Sequence, residues 1–388
     1  KLSSSGEILT LINPHGELAD RLDVPHLTKD RAFGRLPDGS DAALLLTHAT
    51  PGRSNASSNQ LPITATPNFS LPPGFYDEPP HLAITCDDLN ASIHYTVDGS
   101  EPDIHSSLYT AEIRLDTTVV IRAQAYSAAA AASEIVTATF IINESFSFPV
   151  ISLATDPYHL WDETYGIYVK GPNAREEYPY KGANFWREWE RPVHVEFFDN
   201  QKRLLAENAG VRIFGHYSVA APFKPLAIYA RKKYGAGKFN CRLFPQKEIQ
   251  DFEAFMLRNS GNDWNRTLFR DALMHCLADE IGLPTQAYRP VIVLLNGVYW
   301  GIHNLRERLN EHYIAANFNI DADEIDLVAW NYGFQVYAGD SLNYKILRDY
   351  ILTADLADPV HYRQAQTLID IDNYIDYFIV EIYCNNRD

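Results

Sequence analysis

Residues 289–308 read RPVIVLLNGVYWGIHNLRER, and how this stretch folds decides the architecture of the second half of the chain. VIVLL (291–295) is the length of a strand and far short of the ~18 uninterrupted apolar residues that a membrane helix needs. Asn296-Gly297 splits the stretch into an apolar half, VIVLL, and a second half, VYWGI, that is apolar and aromatic. Asn-Gly between two such runs predicts a tight hairpin, because both turn residues must take positive φ. The stretch therefore reads as two antiparallel strands.

Working outward, ERPVHVEFFD (190–199), AGVRIFGHY (209–217) and LAIYARKKYG (226–235) alternate in the same way. DWNRTLFRDALMHCLADEIGLP (263–284) has a helical period instead. Leu268, Phe269, Ala272, Leu273, Cys276, Leu277 and Ile281 share one face, with a polar start at Asp263 to Asn265 and a stop at Gly282 and Pro284. Cys276 on that face is expected to be buried. A closing helix follows from Ile371, Tyr374, Ile375, Phe378, Ile379, Ile382 and Tyr383, opened by Asp370 or Asp372. Strands, a helix, more strands and then helices predict an α+β domain over residues 146–388.

The first part of the chain has a different texture. EILTLI (7–12) and AALLLT (42–47), punctuated by NPHG, LPDG and ATPG, predict a small β domain over residues 1–58, and SNASSNQ (54–60) reads as a linker. Over 62–142, SIHYTVDGSEP, TTVVIRAQAYS and SEIVTATFII predict short strands in a sandwich of immunoglobulin-like size, with Asp98-Gly99 as a hairpin turn. No cluster of catalytic side-chain types stands out in this part, so a spacer or binding module is the plain reading.

With 388 residues, 46% hydrophobic and 12% aromatic, the chain has enough apolar material for two or three cored domains. It starts at Lys1 without Met or a signal-peptide pattern, and so reads as a processed or engineered piece. A net charge of -17, from 33 basic and 50 acidic residues, argues against a nucleic-acid partner. Cys86, Cys241, Cys276 and Cys384 show neither C-x-x-C nor zinc spacing, which leaves buried thiols or at most one disulfide. The phosphate-loop, dinucleotide, H-E-x-x-H and nucleophile-elbow motifs are all absent.

What remains is a resemblance. VISLATDPYHLWDETYGIYV, NFWREWERPVHVEFFD, GVRIFGHYSVAAPFKPLAIYARKKYG, LRNSGNDWNRTLFRDAL, NGVYWGIHNLRERLNEHYI and DNYIDYFIVEIYCNNRD occur in this order across 150–388. In order and spacing they resemble the CotH (spore coat protein H) kinase family. GRLPDGS with HATPGRSN resembles part of a lamin-tail domain, and IHYTVDGSEP with SLYTAEIRL and TVVIRAQAY resembles a chitobiase/hexosaminidase C-terminal-type β domain.

The resemblance implies a multidomain chain: two small all-β domains, then an atypical protein-kinase-like domain truncated at its C-terminus. It implies an ATP- and Mg²⁺-dependent kinase, secreted or attached to a bacterial cell surface, that phosphorylates Ser/Thr of surface or matrix proteins. In GHYSVAAPFKP it points to Lys224 as a phosphate clamp, with Ser218 beside it and the helix of Arg270 and Asp271 packed behind it. Val219 stands where many relatives have Arg, and Pro225 where they have Ser. Arg258, Asn259 and Asp263 become cleft candidates, Asp263 equally a helix cap. Glu307 is placed near adenine, against the plain alternative of an ion pair with Arg306 or Arg308. Asn386 and Asp388 open the catalytic motif, Asp388 as the base; the metal ligands are not identified in the chain, and the chain as it stands is expected to be inactive. Two other readings stand beside this one: a non-catalytic surface protein for adhesion or wall assembly, and a glycan-binding protein using Trp161, Trp186 and Trp189.

Overall fold

The computed structural model describes residues 7–25, 27, 32–59, 61–128, 130–330 and 333–386. At the N-terminal end two hairpins form, Glu7–Ile12 with Leu18–Val24 and Ala32–Arg35 with Ala43–Leu46. The Ser/Asn tract that follows is not a free linker. Ser54 caps a short turn at Asn55–Ser57, the Asn55 amide donates to Asp38 at 3.0 Å, and its Nδ2 donates to the Arg35 carbonyl at 2.8 Å. These bonds hold most of the tract against the second hairpin.

The next unit contains a five-stranded sheet in the order Ser107–Leu108, Ser92–Thr96, Val119–Tyr126, Val136–Ile142, Gly74–Tyr76. Leu82 and Ile84, from two short strand pairs, share a core with Ile121, Ala123, Ala125 and Phe140 of the sheet. Asp98-Gly99 does not make a tight hairpin. The strand ends at Thr96, Val97 is exposed, and Asp98 accepts a bond from the Ser100 amide at 3.0 Å within the longer connection 97–106.

The second half is built on a closed barrel of seven strands: β1 (Val150–Ala154), β2 (Arg191–Asp199), β3 (Lys202–Ile213), β4 (Leu226–Tyr229), β5 (Ala254–Arg258), β6 (Tyr288–Leu295) and β7 (Val298–Glu307). Their order is β1-β2-β3-β4-β5-β7-β6, all antiparallel, and a parallel pairing of β1 with β6 closes the ring. The Asn296-Gly297 hairpin forms as its sequence requires, with φ of 51° and 80° and Leu295 paired to Val298. Ile151, Leu153, Val195, Phe197, Phe255, Val291, Val293 and Leu305 fill the main core. Each such fully buried side chain contributes ~1.5–3 kcal/mol.

The alternation expected of this stretch fails over VIVLL, because the run is buried on both faces. Ile292 and Leu294 turn away from the main core and join Val150 and Phe198 against Ile141 and Phe75 of the sandwich. Across the same contact Thr139 donates to the Ser152 hydroxyl at 2.7 Å. The hairpin tip completes the joint. A Cβ on Gly297 would lie a tight 3.0 Å from the Val119 backbone at a φ of 80°, and glycine makes this approach without strain.

Six α-helices are described: α1 (Pro157–Trp161), α2 (Arg270–Asp279), α3 (Glu311–Phe318), α4 (Leu342–Thr353), α5 (Pro359–Gln366) and α6 (Ile371–Tyr383). The α+β domain expected over residues 146–388 is built as a β-barrel with helices appended. α2 starts seven residues after Asp263, because Leu268 takes a positive φ of 65° and interrupts the helix path. Its anticipated buried face is mostly bare: only Ala272 and Ala278 are buried, while Leu273, Leu277 and Ile281 are exposed. Cys276 is exposed, contrary to its expected burial, on a side that no described element covers. All four cysteines are free thiols. Asp370 is the cap of α6, accepting from the Asn373 amide at 2.9 Å. Among the described residues no helix is long and apolar enough to cross a membrane.

Candidate active-site cleft

One end of the barrel faces α6 across a cleft of about 1480 Å³. The barrel-side wall comes from three pieces: the turn Tyr217–Ala220 after β3, the end of β5 with the loop behind it, and α2. The opposite wall is α6, through Asn373, Tyr377, Glu381 and the terminal Asn385 and Asn386.

Small polar groups shape the barrel-side wall. Gly215 has a φ of 128°, and a Cβ there would meet the Ser218 hydroxyl at 2.6 Å, so glycine lets the turn fold back. Asn259, almost fully buried, donates to the Phe223 carbonyl at 2.6 Å and accepts from the Gly261 amide at 3.1 Å. It thereby ties the Ser218 loop to the end of β5. Asp263 accepts from the Thr267 amide at 3.3 Å and the Arg270 amide at 3.2 Å, and pairs with the Arg270 guanidinium at 3.5 Å. The capping role is the one its geometry supports.

Charge in the cleft is organised around Asp271. Its Oδ2 meets both Arg258, at 3.6 Å, and Arg306, which is fully buried. Burial alone would raise the Asp271 carboxyl, but the charges of Arg258 and Arg306 outweigh it and hold the group below the usual range. His275 Nε2 lies 3.9 Å from the same carboxylate, and its Nδ1 accepts from the Gln286 amide at 3.3 Å. Burial, reinforced by the Arg306 charge, pushes that imidazole down to about 4, so it is neutral near pH 7.

Of the residues singled out from sequence, Ser218, Arg258 and Asn386 line the cleft together, as do Asn259, Asp263, Arg270 and Asp271. Lys224 and Glu307 do not. Lys224 is 5% exposed, donates to the Val219 and Ala221 carbonyls at 2.7 and 3.2 Å, and stands 3.9 Å over the Phe185 ring. Burial, with a contribution from Lys170, lowers it to about 8. Among the described residues no ion pair joins Lys224 to α2; the Asp271 carboxylate pairs with Arg258 and Arg306 instead. Val219 is packed in the barrel core, which accounts for an apolar residue at that position.

Glu307 does form an ion pair, but with neither neighbouring arginine. It meets Lys247 at 2.6 Å and accepts from the Ala287 amide at 2.8 Å and from Asn317 at 3.0 Å. This ties the end of β7 to α3. Asn386 closes α6: Asn385 takes a positive φ of 51°, the Asn386 amide donates to the Glu381 carbonyl at 2.9 Å, and its side chain donates to the Glu381 carboxylate. The proposed base Asp388 lies outside the described residues.

Sequence reasoning missed the cleft face of α6. Asn373, Tyr377, Glu381 and Cys384 recur every three or four residues and line the cleft, a polar and aromatic stripe beside the apolar one. It missed Arg306 as the buried partner of Asp271 because that pair spans 35 positions.

Comparison with known proteins gives two matches. Residues 211–388 match the model of the CotH kinase protein family, and residues 71–137 match that of the chitobiase/beta-hexosaminidase C-terminal domain. The first match begins inside β3, so β1 and β2 lie outside it although they close the same barrel. No curated protein matches the sequence.

Proposed function

We propose that the protein is a surface-associated atypical protein kinase, on the match of residues 211–388 to the CotH kinase protein model and of residues 71–137 to the chitobiase/beta-hexosaminidase C-terminal domain model. It binds ATP in the cleft and transfers the γ-phosphate to Ser/Thr hydroxyls of extracellular or surface proteins. The observation that carries this reading is the convergence of Ser218, Arg258, Arg270 and Asn386 on one cleft within the matched segment.

Phosphoryl transfer asks a protein chiefly for positioning and charge neutralisation. Arg258 and Arg270 suit phosphate oxygens, since a guanidinium presents a planar fork of donors and never loses its charge near pH 7. The Ser218 hydroxyl offers a further donor. Lys224 supports this wall from behind, holding the Val219 and Ala221 carbonyls of the turn that presents Ser218. Among the described residues no three acidic, His or Cys side chains converge as a metal set.

Calorimetric titration with ATP, with and without Mg²⁺, tests the binding half of the proposal. Arg258→Gln and Arg270→Gln are each expected to weaken ATP binding by about tenfold, the size of a lost charge-assisted contact. Transfer of labelled phosphate from ATP to surface extracts by the full-length protein tests the other half. A second reading, a non-catalytic surface protein, draws on the full engagement of Lys224 and Glu307 by protein partners. It predicts no heat from ATP in any form of the protein.

A further inference from the structure

Two arginines share one carboxylate in the cleft, and they share it unequally. Arg306 is fully buried on β7, and its guanidinium also donates to the Gln286 carbonyl at 3.3 Å. A buried guanidinium deprived of its counter-ion is strongly destabilising, so Arg306 holds Asp271 permanently. Arg258 approaches the same oxygen at only 3.6 Å, and its side chain is about one-third exposed at 34%. Exposed, long ion pairs of this kind are weak and easily exchanged. Arg270 repeats the pattern next to it, with a 3.5 Å contact to Asp263 and a side chain 53% exposed.

We infer that Asp271 acts as a stand-in anion for the cleft: a polyphosphate ligand takes Arg258 away from it, and Asp271 stays with Arg306. This rests on the nucleotide-binding reading of the cleft and adds to it the competing group and the residue that restrains it. The ligand class is a di- or triphosphate, whose several anionic groups suit a cleft lined by both Arg258 and Arg270. Asp271 thereby sets the affinity of the site from within, lowering it by the strength of one weak ion pair. Removing its charge tightens polyphosphate binding, the reverse of what a ligand-contacting or metal-holding carboxylate would do.

The test is a titration with inorganic tripolyphosphate, and separately with ATP, of the wild type and of three variants: Asp271→Asn, Arg258→Gln, and Asp271→Asn combined with Arg306→Met. The double variant leaves no unpaired buried charge, so the fold survives even where Asp271→Asn alone unfolds. Tripolyphosphate is expected to bind about twofold to fivefold tighter to Asp271→Asn and to the double variant, and more weakly to Arg258→Gln. Unchanged or weaker binding by the double variant overturns the inference, as does tripolyphosphate binding that Arg258→Gln leaves intact or that no form shows. Tightening with tripolyphosphate while ATP binds no form would uphold the counter-ion role and remove the nucleotide reading. ATP binding without tightening in the double variant does the opposite.

Discussion

The barrel and the helices α4 to α6 are made from the same apolar residue types, and they treat them in opposite ways. Phe255 on β5 and Leu305 on β7 are essentially inaccessible, whereas Phe378 and Ile382 on α6 are 44% and 76% exposed. Neither α4 nor α6 has a single buried residue among those described. A closed ring of strands makes its own interior, since every inward side chain faces others across the axis. An amphipathic helix has no interior and depends on a second layer for its apolar face. Amphipathicity therefore shows which face is fit for burial, and the neighbours decide whether burial occurs. Uncovered apolar surface of this kind marks a place where another surface can pack.

The largest expected effect that sharpens this contrast is a core truncation. Phe255→Ala is expected to cost ~3–5 kcal/mol, by lost transfer energy and the cavity left behind. Urea unfolding followed by circular dichroism measures it, and a loss below about 1 kcal/mol would show that the barrel core is looser than its burial implies.

Acid comes next. Burial pushes His194 on β2 and His303 on β7 down to about 4, so the folded barrel holds both neutral while the unfolded chain protonates them near 6.5. The folded state then binds fewer protons between those values. Its stability is complete above about 6.5 and falls as the pH drops toward 4, by up to ~1.4 kcal/mol per pH unit for each histidine. Urea midpoints of the wild type and His303→Gln between pH 7 and 5 are best compared as a difference. Burial raises the Glu196 carboxyl, which titrates in the opposite sense and cancels between the two proteins. Parallel pH profiles for the two would remove His303 from the acid response.

The smallest effect belongs to α6. Phe378→Ala is expected to change stability by less than ~0.5 kcal/mol, as for exposed positions away from special features. A cost close to that of Phe255→Ala in the same urea experiment would break the comparison, because it would mean that the α6 face is covered in solution.

Much of the fold was legible because its signals are local. The Asn296-Gly297 hairpin, the alternation of β2, the strand-length apolar run of β6 and the Asp370 cap all rest on residues within a few positions of one another. The start of α2 was misplaced because Asp263 signals a cap by type, while its amide partner Arg270 is found only after Leu268 turns the chain. The site was legible in part. Ser218, Arg258 and Asn386 do meet at one cleft, but the direction taken by Lys224 depends on where the Val219 and Ala221 carbonyls point. Residue types do not carry that information.

By itself the sequence determined the strand character of the Asn296-Gly297 hairpin and of β2, and the helical character and apolar face of α2 and α6, because side-chain period and turn preference are properties of short windows. Only the tertiary structure decided that β1 and β6 close a barrel, that the sandwich covers Ile292 and Leu294, and that α6 keeps its apolar face bare. It also gave Glu307 to Lys247, 60 positions away, and divided Asp271 between Arg258 and Arg306. Burial and charge pairing are set by groups brought together across long stretches of chain, and their strength depends on the water excluded when those groups meet.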